Sequence, residues 1–180
     1  MQGAVQIRDN DTWKLESVHV TSGNNVRATA TVALRNLHDD SIVETATMGS
    51  GPVDAIYKSI TDATGTANSL EEFSIQAITS STDSLGRVTV RIESGDNDED
   101  GDGSETRVLQ TGATQRRTYV GHGQSMDILM ASAEAHLSAI NRLLEHRTYF
   151  EQMHKRRKAR EVLGISAEAF NKLQSESLEK

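Results

Sequence analysis

The sequence contains no cysteine and only one proline among its 180 residues. Without cysteine there are no disulfides and no thiolate metal ligands, so nothing requires an oxidising compartment. No apolar run is long enough to cross a membrane, and the N-terminus lacks the apolar stretch of a signal peptide. We therefore expect a cytoplasmic protein with no membrane partner.

Basic residues are outnumbered, with 19 Lys and Arg against 26 Asp and Glu, which gives a net charge of −7. An acidic chain of this kind argues against general nucleic-acid binding. Aromatic residues contribute only 4 % of the chain, but hydrophobic residues reach 36 %. This composition supports a modest core and one domain, or one domain with a tail.

The most informative stretch runs from Met48 to Ile60 and indicates a strand end, a glycine turn and a helix. Gly49 and Gly51 allow the backbone to approach another group closely. Pro52 suits the first helical position, where its missing N–H costs nothing. The predicted helix therefore begins with bare amides, which attract a carboxylate or a phosphate. The apolar face of this helix, which includes Val53, is predicted to be core.

A second Gly-x-Gly, formed by Gly121 and Gly123, again precedes a predicted helix, with Asp127 in its first turn. Apolar residues at helical spacing from Met126 to Leu144 predict that this final helix is long. The recurrence indicates an internal repeat. We assign the first repeat to residues 13–65 and the second to residues 70–147.

Three segments with strand-like alternation precede each helix. They cover residues 13–20, 26–35 and 42–47 in the first half, and 73–79, 87–92 and 116–120 in the second. The predicted fold class is α+β, with two pseudo-symmetric βββα units, antiparallel sheets, helices packed on one face and a long C-terminal helix. Around this domain, at residues 13–150, we expect a linker remnant at 1–12 and a charged helical tail at 151–180.

These segments, in this order, resemble the C-terminal regulatory domain of 2-isopropylmalate synthase and of its relative citramalate synthase. The resemblance covers roughly Leu15 to Leu144. It is carried by Thr29-Ala-Thr-Val32, Gly49-Ser-Gly-Pro-Val-Asp-Ala55, Ser74-Ile-Gln-Ala77, Thr82-Asp-Ser-Leu-Gly-Arg-Val-Thr-Val90, and Gly121-x-Gly123 followed by Ser125-x-Asp-Ile128, with Ala131-Ser-Ala133 and Ser138-Ala-Ile-Asn-Arg142 further along.

The resemblance implies a parent acyltransferase that condenses acetyl-CoA with a 2-oxo acid in a metal-dependent TIM barrel. It also implies that the C-terminal domain forms a homodimer and binds leucine or isoleucine as a feedback inhibitor. The barrel's His-x-His metal ligands are absent from this sequence. The chain alone should therefore be no enzyme and bind no cofactor or metal, with the catalytic barrel as its partner. The polar start and the missing barrel favour an excised piece.

An amino-acid effector presents a carboxylate, an ammonium group and an apolar side chain. The glycine turn supplies amides, and an acid such as Asp54 or Asp127 could pair with the ammonium group. Apolar surface from the segment at residues 70–77 is implied by the resemblance. The candidate effector-binding residues are Gly49, Gly51, Pro52, Val53, Leu70, Phe73, Ala77, Gly121, Gly123 and Asp127.

Each of these features also has a purely structural interpretation. The glycines could be ordinary turn residues, Leu70 and Phe73 could be core, and both acids could serve only their helix starts. The first functional hypothesis is a leucine-responsive regulatory domain. The alternatives are an isoleucine-sensing domain of citramalate synthase, a structural dimerisation module and a free-standing amino-acid sensor.

Two charged segments lie outside these patterns. The motif from Asp96 to Gly101 resembles the start of an EF-hand loop, but its twelfth position is Arg107 and not the bidentate Glu that calcium requires. We interpret it as an acidic hairpin insertion. The basic run from Lys155 to Arg160 is interpreted as a solvated helix end and not as a nucleic-acid site.

Overall fold

The computed structural model describes residues 8, 10–78, 85–95, 106–108 and 114–163. Within these ranges the first half contains β1 (Trp13–Gly23), β2 (Val26–Asn36), β3 (Ile42–Gly49) and α1 (Pro52–Thr64). The strands form one antiparallel sheet in the order β1-β2-β3. Of the features predicted from the sequence, residues 1–7 and 9 of the linker, residues 79–84, the acidic motif and residues 164–180 lie outside the described ranges.

The second half contains β4 (Asn68–Ala77), β5 (Gly86–Ser94), β6 (Thr106–Val108), β7 (Thr114–Arg116), β8 (Thr118–Ser125) and α2 (Ile128–Leu163). Its main sheet is antiparallel with the order β4-β5-β8, and β6 pairs with β7 in a separate ribbon. The predicted α+β fold of two βββα units is confirmed. The β6–β7 ribbon lies between β5 and β8 in the chain.

Helix α1 has the predicted bounds because both of its ends are encoded locally. Pro52 occupies the first turn, and Gly65 at the C-cap has a φ of 60°, a left-handed conformation that favours glycine. The N–H of Gly65 donates to the carbonyl of Asp62, and the N–H of Thr66 donates to that of Thr61. These bonds satisfy carbonyls that the end of a helix otherwise leaves without a partner.

The core faces of the sheets follow the predicted alternation. On β2 every second residue is buried, and on β5 the valines and the isoleucine point inward as expected. Small residues of both helices pack on these strands. The fully buried or nearly buried apolar residues of the sheets and helices include Ala30, Val32, Leu34, Ile56, Ile60, Val88, Val90, Ile92, Ala131, Ala135, Ala139, Ile140 and Leu143.

The strand predicted at residues 116–120 is wrong in its bounds. The structure separates β7 from β8 at Arg117 and extends β8 through Gly121 and Gly123 to Ser125. Both glycines pair with β5, opposite Val90 and Val88. They are therefore strand residues, and α2 begins only at Ile128.

The glycines of β8 are required because the backbone of α2 lies directly on the strand. A Cβ atom at Gly121 would collide with the backbone of Ala135 and Ala139, and it would lie 3.0 Å from the Cβ of Ala139. A Cβ at Gly123 would lie 2.8 Å from the backbone nitrogen of Ala135. Glycine in a strand interior commonly marks such a close approach of another backbone.

The described chain divides into two compact units at residue 145, inside α2. The first unit holds both sheets, α1 and the first part of α2. In the second unit the described residues are helical through Leu163. There the ring of Phe150 lies 4.4 Å from that of His146 and 6.0 Å from that of Tyr149.

Gly121→Ala should lower the free energy of unfolding by about 3 kcal/mol, because the new methyl group forces α2 away from the sheet. Gly51→Ala is the matched control, since no described atom lies within 4 Å of a Cβ at that position. The control should cost no more than about 1 kcal/mol, the scale of an N-cap change. Urea denaturation followed by circular dichroism measures both. Equal losses in the two variants would contradict the close-packing argument.

Candidate functional site

The N-terminus of α1 is open. Gly51 is the N-cap in an extended conformation, and no side chain in the described part of the chain caps it. A Cβ atom at Gly51 would meet no described atom within 4 Å. Pro52 contributes no N–H, so polar groups approaching this end meet the amides of the next residues in the first turn.

Gly49 has a different role from Gly51, although the two stand in one motif. It is the last residue of β3 and pairs with Ala28. A Cβ at Gly49 would collide with the backbone nitrogen of Ala55 and lie 2.8 Å from its Cα. Gly49 therefore lets α1 pack closely on the strand that precedes it.

A carboxylate already lies at the open helix end. Asp54 Oδ2 accepts hydrogen bonds from the Ser50 N–H at 2.7 Å, from the Ser50 hydroxyl at 3.0 Å and from Lys58 Nζ at 2.9 Å. The hydrogen bond from Lys58, followed by those from Ser50, lowers the pKa of Asp54. Asp54 is therefore ionised at neutral pH, and its ion-pair partner Lys58 is about half exposed.

Strand β4 brings Leu70, Phe73 and Ala77 onto one face. A β-bulge between Leu70 and Glu72 changes the alternation, so that Leu70 lies opposite Ile92 on the same side as Phe73. Ile75 belongs to this face as well. We refer to Leu70, Phe73, Ile75 and Ala77 as the β4 strip.

The β4 strip points to the core side of the sheet but is largely uncovered. Its partners on β5 are fully buried, yet Leu70 is 45 % exposed and Ile75 is 50 % exposed. Ala77 is also exposed, and Phe73 is half-buried. Because β4 is an edge strand, α2, which lies on β8 and β5, leaves most of the strip open.

Phe73 places the β4 strip beside α1. Its ring lies edge-on to that of Tyr57, with 6.2 Å between the ring centroids. Val53 precedes Tyr57 by one helical turn, so the two side chains share a face of α1. The structure therefore places Phe73 against α1, one helical turn from Val53, and Gly51 lies at the start of the same helix.

The second half offers no equivalent open end. Gly121 and Gly123 are buried under α2. Asp127, expected in the first turn of α2, instead precedes the helix and accepts a hydrogen bond from the N–H of Leu129 at 2.8 Å. This is an ordinary N-cap contact, which satisfies an amide that would otherwise be available to a ligand.

An aromatic stack between the helices was not predicted from the sequence. The imidazole of His136 on α2 lies 4.3 Å from the ring of Tyr57, nearly parallel to it. His136 is 1 % exposed and burial lowers its pKa to about 3. The position of His136 on the inward stripe of α2, between Ala133 and Ile140, indicates from the sequence that the side chain is buried. The same pattern does not identify the ring that it contacts.

The part of the chain that the structure describes contains no group of three or more His, Asp or Glu side chains placed to hold a metal ion. Across the same ranges, none of the helices is both long enough and apolar enough to pass through a membrane.

Comparison with known proteins defines the class of module. The sequence profile of an allosteric, dimerising domain matches residues 1–144, which include both βββα units up to the middle of α2. The chain belongs to this family, the LeuA allosteric (dimerisation) domain. The residues of α2 beyond 144 lie outside the match.

Several similar proteins are named 2-isopropylmalate synthase. The one from Trichodesmium erythraeum is 38 % identical over 131 residues, which cover 73 % of this chain and 20 % of the relative. The protein from Carboxydothermus hydrogenoformans is 38 % identical over 134 residues, 74 % of this chain and 22 % of the relative. That from Thermosynechococcus vestitus is 35 % identical over 143 residues, 78 % and 23 % respectively. The chain spans about a fifth of the length of these relatives.

The buried histidine should make the domain less stable in mild acid. In the unfolded chain His136 binds a proton near its ordinary pKa of about 6.5, whereas the folded chain excludes that proton down to about pH 3. The unfolded state therefore binds more protons than the folded state. The contribution of His136 to the free energy of unfolding falls by at most about 1.4 kcal/mol per pH unit as the pH drops below 6.5. His136→Phe, which keeps a ring on Tyr57, should have a flatter profile between pH 6.5 and 5. Urea denaturation across this range provides the test, and parallel profiles would contradict it.

Proposed function

We propose that this chain is the regulatory domain of an acetyl-CoA acyltransferase of the 2-isopropylmalate synthase type. In this proposal it binds leucine, the end product of the pathway, and mediates feedback inhibition of the catalytic barrel of the same enzyme in the cytoplasm. The names of the relatives support leucine over isoleucine, since those compared here are 2-isopropylmalate synthases. The observation that carries the proposal is the uncapped start of α1 together with the exposed β4 strip, which contacts the same helix through Phe73 and Tyr57.

The chemistry of the candidate site matches an α-amino acid in three respects. The open amides of α1 suit a carboxylate. The ionised Asp54 at the same helix end suits an ammonium group, which would compete with Lys58 for Oδ2. The β4 strip provides apolar surface for a branched side chain next to Phe73. A zwitterion with an apolar side chain can therefore satisfy all three features at once.

A homodimer would cover the surface that one chain leaves open. The strip carries two large apolar side chains that are each about half exposed, on an edge strand whose outer row is available for pairing. Exposed apolar surface and unpaired strand edges commonly mark sites of association. A second copy on β4 would place the effector site at or near the interface between subunits.

Inhibition requires that leucine bind one state of the domain better than another. A ligand with equal affinity for both states shifts no equilibrium, however tightly it binds. We place the differential contacts at Phe73 and on α1, the two elements that meet where Phe73 contacts Tyr57.

Isothermal titration calorimetry of the 180-residue chain with leucine, isoleucine and valine tests the effector. Leucine should bind most tightly, and valine, which is one methylene smaller, should bind more weakly by about 1–3 kcal/mol. Gly51→Val should weaken leucine binding at least about tenfold, or ~1.4 kcal/mol, by filling the space in front of the helix. The extended φ of −156° accepts a β-branched residue.

Ser69→Val is the control, because it adds the same side chain to the polar face of β4 and should bind leucine as the unmodified chain does. If a folded dimer gives no heat with any of the three amino acids, the effector proposal is wrong. The chain is then interpreted as a structural dimerisation module. Tighter binding of isoleucine than of leucine would instead support the alternative of an isoleucine-sensing domain of citramalate synthase.

Sedimentation equilibrium tests the dimer. Ile75→Asp places a charge in the centre of the β4 strip and should raise the dimer dissociation constant at least about tenfold, because a buried unpaired carboxylate is costly. Ile42→Asp is the control, at a residue that is 56 % exposed on β3. If both variants dissociate equally, or neither does, the dimer does not use this strip.

A further inference from the structure

We propose that the candidate site on β4 is coupled to the start of β1 through three successive contacts that cross both helices. Phe73 contacts Tyr57, Tyr57 stacks on His136, and Asn141, further along α2, holds Trp13. This inference rests on the proposed function for the ligand that acts at β4. It adds the path by which occupation of the site reaches another part of the domain.

The first two contacts link β4, α1 and α2. The edge-on pair of Phe73 and Tyr57 has a centroid distance of 6.2 Å, and the stack of Tyr57 on His136 has one of 4.3 Å. Tyr57 is 6 % exposed and His136 is 1 % exposed, so neither ring can shift without moving its neighbours. A ligand that displaces Phe73 therefore acts on the packing between the helices.

Polar contacts run beside the rings. The side-chain amide of Asn68, the first residue of β4, donates to Thr61 Oγ1 at 3.2 Å, and Thr61 Oγ1 lies 3.5 Å from His136 Nε2. With its oxygen accepting from Asn68, the Thr61 hydroxyl can donate to Nε2. The neutral imidazole then carries its proton on Nδ1.

The stack contains two buried polar atoms that oppose this arrangement. Among the described residues, Tyr57 Oη and His136 Nδ1 have no hydrogen-bond partner. Burying a polar atom without a partner is unfavourable, so the observed packing is less stable than its apolar contacts alone would make it. A second arrangement in which either atom gains a partner would avoid this cost. A ligand at Phe73 can then favour one arrangement over the other.

At the far end of the path, Asn141 forms hydrogen bonds to the chain where it enters β1, and we call this set of hydrogen bonds the clasp. Asn141 Oδ1 accepts hydrogen bonds from the N–H groups of Trp13 at 3.0 Å and Thr12 at 3.3 Å, and Asn141 Nδ2 donates to the carbonyl of Trp13 at 2.8 Å. Asn141 follows His136 by five residues on the same helix, about 7.5 Å along its axis. A shift of α2 at the stack therefore moves the clasp.

Trp13 is the single tryptophan of the chain, so its fluorescence reports on the clasp. In the 180-residue chain, leucine should change the emission of Trp13 and the hydrogen-exchange rate of its amide, with saturation at the same concentration as the calorimetric heat. His136→Leu should still bind leucine, with a dissociation constant within about threefold of that of the unmodified chain. It should lose most of the leucine-dependent change in the emission and amide exchange of Trp13. His122→Leu, the same substitution at an exposed histidine of β8, should retain both.

A second arm needs no ligand. Phe73→Ala should speed exchange of the Trp13 amide by about tenfold. Val26→Ala, at a residue of β2 that is 56 % exposed and lies at the opposite end of the β1–β2 pair from Trp13, should not. Equal exchange rates in these variants and the unmodified chain would overturn the coupling, even if leucine binds. Heat from leucine with no response at Trp13 would also overturn it. Absence of heat, together with a Phe73-specific effect on exchange, would overturn the proposed effector and support the path.

Discussion

The backbone of α2 lies directly on β8, and the arrangement of the second half depends on that contact. Only residues without a Cβ allow so close an approach, and Gly121 and Gly123 provide it next to a row of alanines on the helix. With α2 held over β8 and β5, the third strand of the sheet receives little cover. The exposure of the β4 strip is thus a consequence of where the glycines place the helix.

The two βββα units are alike in topology but not in what their helix ends offer. In the first unit Gly51 leaves the start of α1 without a side-chain cap, and Asp54 brings a charge to the same turn. In the second βββα unit Asp127 caps α2, and Gly121 and Gly123 allow α2 to pack closely on β8. The repeat therefore duplicates a scaffold, while the uncapped helix end with its charged neighbour lies in the first βββα unit and the exposed apolar strip lies on β4.

Much of the fold followed from periodicity and turn residues. The apolar alternation of β2 and β5 and the ends of α1 at Pro52 and Gly65 were predictable because each depends on neighbouring residues alone. The start of β4 was not, since the bulge after Leu70 breaks the period of two and left Phe73 as the first recognisable strand residue.

The candidate site was predictable only in part, for a related reason. A Gly-x-Gly motif shows that side chains are absent but not what occupies the space, and only the structure separates Gly51, in the open, from Gly121, under a helix. The contact of Phe73 with Tyr57 and the stack on His136 join residues distant in sequence. No local pattern reports such contacts.

In the proposed dimer, the open edge at β4 would also make the domain's stability depend on its own concentration. A surface that is covered only when two chains meet adds the free energy of association to that of folding, so the apparent stability follows mass action. At low concentration the domain relies on the core of a single chain, with the aliphatic side chains of Leu70 and Ile75 in water. With β4 as the dimer surface, the folding of one chain would be linked to the abundance of the domain.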